Sequence, residues 1–153
     1  MRELKPVGSA ANLPVVVEGG RIGVEQAPDT LEVQAMDVIG ELIEEGKLHE
    51  ARPLLQTVLH LMPENAQAPY YLGLLAIEEG DWEEARSFLS RAVLSSAGNV
   101  KIETHALEAL ALVALDQGDR AEARRIFEQI LELVPDHGQA LLALEQLPRG
   151  PQR

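Results

Sequence analysis

Histidines and paired carboxylates are the residues of this sequence with the types to do acid–base or metal chemistry. His49, His60, His105 and His137 are scattered along the chain. No two stand four residues apart, and no His-Glu-x-x-His run places a zinc-binding pair on one helical face. Each therefore reads as a surface or capping histidine. Adjacent carboxylates recur at Glu44/Glu45, Glu78/Glu79 and Glu83/Glu84. They fall at corresponding helix ends and starts, where a solvated face accounts for them. Gly19-Gly20-Arg21-Ile22-Gly23 is the one glycine-rich run. In this reading no helix follows it to aim backbone amides at a phosphate. The chain has no cysteine, which removes thiolate nucleophiles, disulfides and Cys-ligated zinc. The expectation is a protein without enzymatic activity, metal or cofactor.

The elements that carry these residues repeat. Glu45-Gly46-Lys47-Leu48-His49-Glu50-Ala51, Glu79-Gly80-Asp81-Trp82-Glu83-Glu84-Ala85 and Gln117-Gly118-Asp119-Arg120-Ala121-Glu122-Ala123 resemble one another. Their glycines are spaced 34 and then 38 residues apart, so four residues are inserted in the second interval, around Ser95–Lys101. Such a period marks stacked repeats. Each glycine ends one helix in the left-handed conformation. The Asp81/Glu84, Asp119/Glu122 and Asp29/Glu32 spacings read as capping boxes that start the next. The predicted helices span 30–45, 48–62, 67–79, 82–96, 101–117, 120–134 and 138–147.

Apolar residues recur with the helical period inside these spans. Ala35, Val38, Ile39, Leu42 and Ile43 line the first helix, and Leu54, Leu55, Val58, Leu59 and Met62 its partner. Leu72, Leu75 and Ala76 face Ala85, Phe88, Leu89 and Ala92. Leu107, Leu110, Ala111 and Ala114 face Ala123, Ile126, Phe127, Ile130 and Leu131. Pro63 and Pro135 close two of the units, while Ser96-Ala97-Gly98-Asn99 closes the other without proline. The last helix is stopped by Pro148 and caps the stack with Leu141, Leu144 and Leu147 on its buried side. Residues 1–29 read as a mobile or loosely docked arm, with a β-hairpin around Gly19-Gly20 as the alternative. Residues 148–153 are a tail.

Ala51/Leu55, Ala85/Leu89 and Ala123/Phe127, the Leu72-Gly73 pair with Ala76, and Pro63 and Pro135 together resemble the tetratricopeptide-repeat (TPR) pattern. The resemblance covers residues 31–137. Departures are Ile39 and Ala111 at the Gly73 position, Ala97 where proline is expected, and the insertion. It implies an all-α fold, a right-handed superhelical stack of antiparallel helix pairs, with repeats at about 32–65, 66–99 and 104–137 and a capping helix at 138–147. It also implies that partners bind the concave face lined by the first helix of each pair. On that geometry the groove is built from Met36, Gly40 and Ile43, then Tyr70, Tyr71, Leu74 and Ile77, then His105, Glu108, Leu112 and Leu115. Several of these serve equally as packing residues of the stack, Tyr70 and Tyr71 above all, and Trp82 reads as packing. The short arm, three repeats, terminal helix and acidity are also similar to the class II chaperones of type III secretion.

Net charge narrows the partner. At −12 with pI near 4.7, the chain repels nucleic acid and anionic membrane. No segment has the length of a transmembrane span, and the N-terminus lacks a continuous apolar signal core, so a cytoplasmic protein is expected. The groove lacks the Lys/Arg/Asn cluster that grips a terminal carboxylate. The expected function is binding of an apolar, basic-flanked protein segment, as adaptor or chaperone. The alternative is a scaffold that stacks on copies of itself as a homo-oligomer.

Overall fold

The computed structural model describes residues 23–148, with side chains from Leu31 onward. Among them are seven α-helices and no strand: α1 (Gly23–Glu44), α2 (Leu48–Leu61), α3 (Gln67–Glu79), α4 (Trp82–Ser95), α5 (Val100–Asp116), α6 (Arg120–Leu133) and α7 (Gly138–Gln146). The last six agree with the sequence reading to within one residue at each end. The first does not: α1 begins at Gly23 instead of residue 30, so Asp29 lies inside the helix and is no cap. Glu25, Gln26 and Ala27 are good helix formers, and they carry the helix back past the apparent start signal. A helix does follow the Gly19–Gly23 run, contrary to the reading above. The hairpin reading ran over Pro14–Glu25, and its last three residues lie in α1; the remainder falls on residues 1–22, outside the described residues.

The chain divides at Lys47/Leu48 into two compact units. In the first, Ile39 is fully buried, Ala35, Leu42 and Ile43 are half-buried, and Val38 is exposed, against its expected place on the inner face. The second unit holds α2 to α7. Its helices pack mainly on their neighbours in sequence, and α3 also meets α5. Leu72, Leu75 and Ala76 are buried with Ala85, Leu89 and Ala92, and Leu107, Leu110, Ala111 and Ala114 with Ala123, Ile126, Phe127 and Ile130.

Left-handed glycines close the helices, with φ of 76° at Gly46, 77° at Gly80 and 80° at Gly118. The amide of the next residue returns to the preceding helix: Asp81 N donates to Ala76 O at 2.9 Å and Asp119 N to Ala114 O at 2.8 Å. This is the Schellman closure. The same aspartates cap the following helix, Asp81 Oδ1 accepting from Glu84 N and Asp119 Oδ1 from Glu122 N, both at 3.0 Å. The capping boxes are therefore half-boxes. Because the Asp amides are already bonded to the helix behind, Glu84 and Glu122 turn instead toward Arg52 and Arg125. At the insertion, Gly98 (φ 84°) and Asn99, whose Oδ1 accepts from Ile102 N at 3.2 Å, do the same work without proline. Asp119→Ala is expected to destabilise the protein by about 1 kcal/mol. A thermal melt should register this as a drop of about 2–4 °C.

A further repeated contact joins successive repeats. The buried alanine that opens each second helix is followed by arginine: Ala51-Arg52, Ala85-Arg86 and Ala123-Arg124. Arg52 Nη2 donates to Glu79 Oε2 at 2.6 Å, Arg86 Nη2 to Gln117 Oε1 at 2.9 Å, and Arg124 Nη1 to the Leu147 carbonyl. Each guanidinium thus reaches the C-terminal end of the next repeat's first helix, where the helix dipole favours a cation.

α7 buries Ala140 and half-buries Leu144, and Leu147, just past its end, is also buried. Leu141, expected inside, is 46% exposed, and Leu142 is 60% exposed. Ala140, Leu144 and Leu147 follow the i, i+4, i+7 spacing. Leu141 sits one residue on, about 100° around the helix.

Candidate functional site

α3 contains no lysine or arginine, and α5 only Lys101. What these two helices present is aromatic, aliphatic and acidic. α3 sets Tyr70, Tyr71, Leu74 and Ile77 at i, i+1, i+4 and i+7, which places them along one side. All four are half-buried, and Tyr70, Leu74 and Ile77 pack against the core. α5 adds His105 and Leu112, both exposed, and Glu108 and Leu115, both half-buried.

The site has two ends, about 10 Å apart along α3. At the aromatic end, the Tyr70 and Tyr71 rings lie 5.2 Å apart and tilted by 57°. The Tyr70 and His105 rings stack at 6.3 Å and 28°. Burial raises the Tyr70 phenol above its ordinary value of 10.0, with Tyr71 and the Glu108 carboxylate adding to the shift. His137 joins this end from α7. Its Nδ1 accepts from Ala140 N at 3.2 Å, capping α7, while Nε2 stands 3.3 Å from Glu108 Oε2. Accepting at Nδ1 places the proton of a neutral imidazole on Nε2, facing Glu108.

At the aliphatic end, Ile77, Leu112, Val113 and Leu115 line a cleft of about 380 Å³ with Trp82 and Asp116. Leu112 is 59% exposed there. Trp82 both packs against the core and lines this cleft. Sequence reasoning favoured packing over a ligand contact for it. Its position as the first residue of α4, beside the Gly80-Asp81 turn, was the available signal.

Met36, Gly40 and Ile43 lie on α1, in the first unit. They share a side of that helix by their spacing, and all three are half-buried. Of the other histidines, His49 lies 3.5 Å from Glu78 and 3.8 Å from Glu79, and His60 lines a separate cleft. Among the described residues no group of three His, Asp or Glu side chains converges as metal ligands. No described helix is long and apolar enough to cross a membrane.

A spectroscopic prediction arises from the aromatic end. In a tyrosinate absorbance titration of the folded protein, Tyr70 should ionise above pH 10 and the Tyr70→Phe variant should lose that late step. The folded state holds the phenolic proton more tightly than the unfolded chain does. Stability is therefore unaffected below the ordinary value and falls as pH rises from about 10 through the raised value.

Comparison with known proteins gives the following. Two tetratricopeptide-repeat profiles match, over residues 42–111 and 104–147. A probable biofilm formation methyltransferase, WspC, of Pseudomonas putida is 35% identical over 91 residues, which is 60% of this chain and 20% of that protein. The chain thus spans about a fifth of that relative's length. Among solved structures, the second TPR domain of human RPAP3, determined with the HSP70 peptide SGPTIEEVD, superposes with a TM-score of 0.67 at 21% identity. The match covers 81% of this chain and all of that one.

Proposed function

The chain belongs to the tetratricopeptide-repeat family, whose fold is a protein-interaction module, and we propose that it binds a segment of another protein along α3 and α5. The observation that carries this reading is the face itself. Tyr70, Tyr71, Leu74 and Ile77 stand beside exposed Leu112 and the Leu115 cleft, with acid at both ends in Glu108 and Asp116. Such a surface suits an apolar segment flanked by lysine or arginine. Cations gain from the tyrosine faces and from the carboxylates. An acidic ligand would meet no lysine or arginine on α3 and only Lys101 on α5.

In this reading the protein is a non-enzymatic adaptor or chaperone of the cytoplasm, and nucleic acid is disfavoured by the net charge of −12. The test is an affinity pull-down comparing wild type with Leu112→Glu. Leu112 is exposed enough that the charge leaves the fold intact. A partner held by wild type and lost by the variant, at equal helicity, supports the reading. A partner held equally by both removes this face from it.

A second reading, self-assembly, is favoured by one observation: Leu141 and Leu142 of α7 are exposed next to each other. It predicts a mass that rises with concentration in sedimentation, and Leu142→Glu would abolish the rise.

A further inference from the structure

A second cleft of about 410 Å³ opens on the α2–α4 side of the second unit and shares no lining residue with the first. Leu59, Pro63, Leu72 and Phe88 make its apolar walls, and Gln56, His60 and Arg91 supply its polar groups. Among the described residues no carboxylate lines it. In a chain of net charge −12 this is a local reversal.

The arginine sets the cleft apart. Arg52, Arg124 and Arg125 each pair with a glutamate, and Arg86 and Arg120 donate to Gln117 Oε1 at 2.9 Å and to the Gln146 carbonyl at 3.1 Å. Arg91 is exposed and takes part in none of the ion pairs formed among the described residues. Its Nη2 makes one long contact, 3.5 Å to the Pro63 carbonyl, which leaves most of its five N–H donors for an incoming group. That contact also holds the guanidinium at the Pro63 rim of the cleft. His60, exposed on α2, adds a second polar group that is no acid.

We propose that this cleft is a second docking site, for an acidic segment of a partner protein. A carboxylate of the segment engages Arg91, and a leucine- or phenylalanine-sized side chain rests on Leu59 and Phe88. Charge complementarity selects the occupant. The α3–α5 face is acidic and favours basic-flanked segments, whereas this cleft is apolar with a positive rim. One small repeat unit thereby holds two segments of opposite charge at once, and the two sites discriminate against each other's ligands.

The experiment is panning of a random heptapeptide display library on the full chain and on Arg91→Glu, with circular dichroism showing equal folding. The expected result is a set of sequences recovered by wild type alone, with Asp or Glu within two residues of Leu or Phe. The same set should be recovered by Leu112→Glu. A synthetic peptide from that set should lose about tenfold or more in affinity to Arg91→Glu, and raised salt should weaken it. The proposal is overturned if both chains recover the same sequences, or if the wild-type set carries no acid. It is also overturned if Leu112→Glu loses the set, because the acidic peptides then occupy the α3–α5 face.

Discussion

Gly73→Val is expected to lower stability by about 3 kcal/mol, a fall of about 6–12 °C in Tm at this chain length. A Cβ at residue 73 would stand 2.6 Å from Leu89 Cγ, 2.7 Å from Leu89 Cδ2 and 3.5 Å from the Ala85 carbonyl. Leu89 is fully buried, so it cannot swing clear without displacing its own neighbours. The close approach of α3 and α4 is therefore a property of having no side chain at 73. Gly40→Ala is the paired control. It too is a helical glycine, but among the described residues nothing lies within 4 Å of its Cβ position. Alanine there should stabilise by up to about 1 kcal/mol through helix propensity alone. Thermal or urea unfolding of both variants decides the matter. Equal melting of Gly73→Val and wild type would mean that α3 and α4 do not pack at the described distance.

The second large effect is expected in binding. Combining Leu112→Glu with Tyr70→Ala should weaken the partner by about 100-fold or more, as measured by titration calorimetry. Aromatic residues at the centre of an interface commonly contribute about 2 kcal/mol or more on truncation. A carboxylate at 112 would place an unpaired charge where the proposed apolar segment would dock. The singles separate the causes. Leu112 is exposed, so its variant reports on binding alone, whereas Tyr70 also packs against the core. Tyr70→Phe keeps that packing and should retain most of the affinity. An affinity unchanged in the double variant would exclude the α3–α5 face as the docking surface.

The features legible in the sequence were those written locally. Gly80-Asp81 and Gly118-Asp119 state a helix end and a helix start in two residues, and the apolar period between them gives the inward side. The helix order and most of the core follow from that. Features that depend on a partner helix were not legible. The role of Arg52, Arg86 and Arg124 becomes visible only once each meets the end of another helix 23 to 31 residues away, although the recurring Ala-Arg pair was present to be noticed. The His137–Glu108 contact, the place of Trp82 in a cleft and the exposure of Leu141 likewise depend on how helices sit in space. The start of α1 was missed for a different reason: a valid capping spacing also occurs inside helices, and the residues before Asp29 continue one.

Neighbour-on-neighbour packing has a kinetic consequence. In the Leu48 unit each helix finds its main contacts one step along the chain, with α3 on α5 the longest reach. Loops to be closed are short, and domains with such local topology fold in microseconds to milliseconds. Translation at about 5–20 residues per second is far slower. Each helical hairpin can therefore settle as soon as it has emerged from the ribosome, without waiting for a distant segment. Helices thus pair in the order in which they leave the ribosome, and the α3–α5 packing forms ahead of the His137 contact that α7 brings to it.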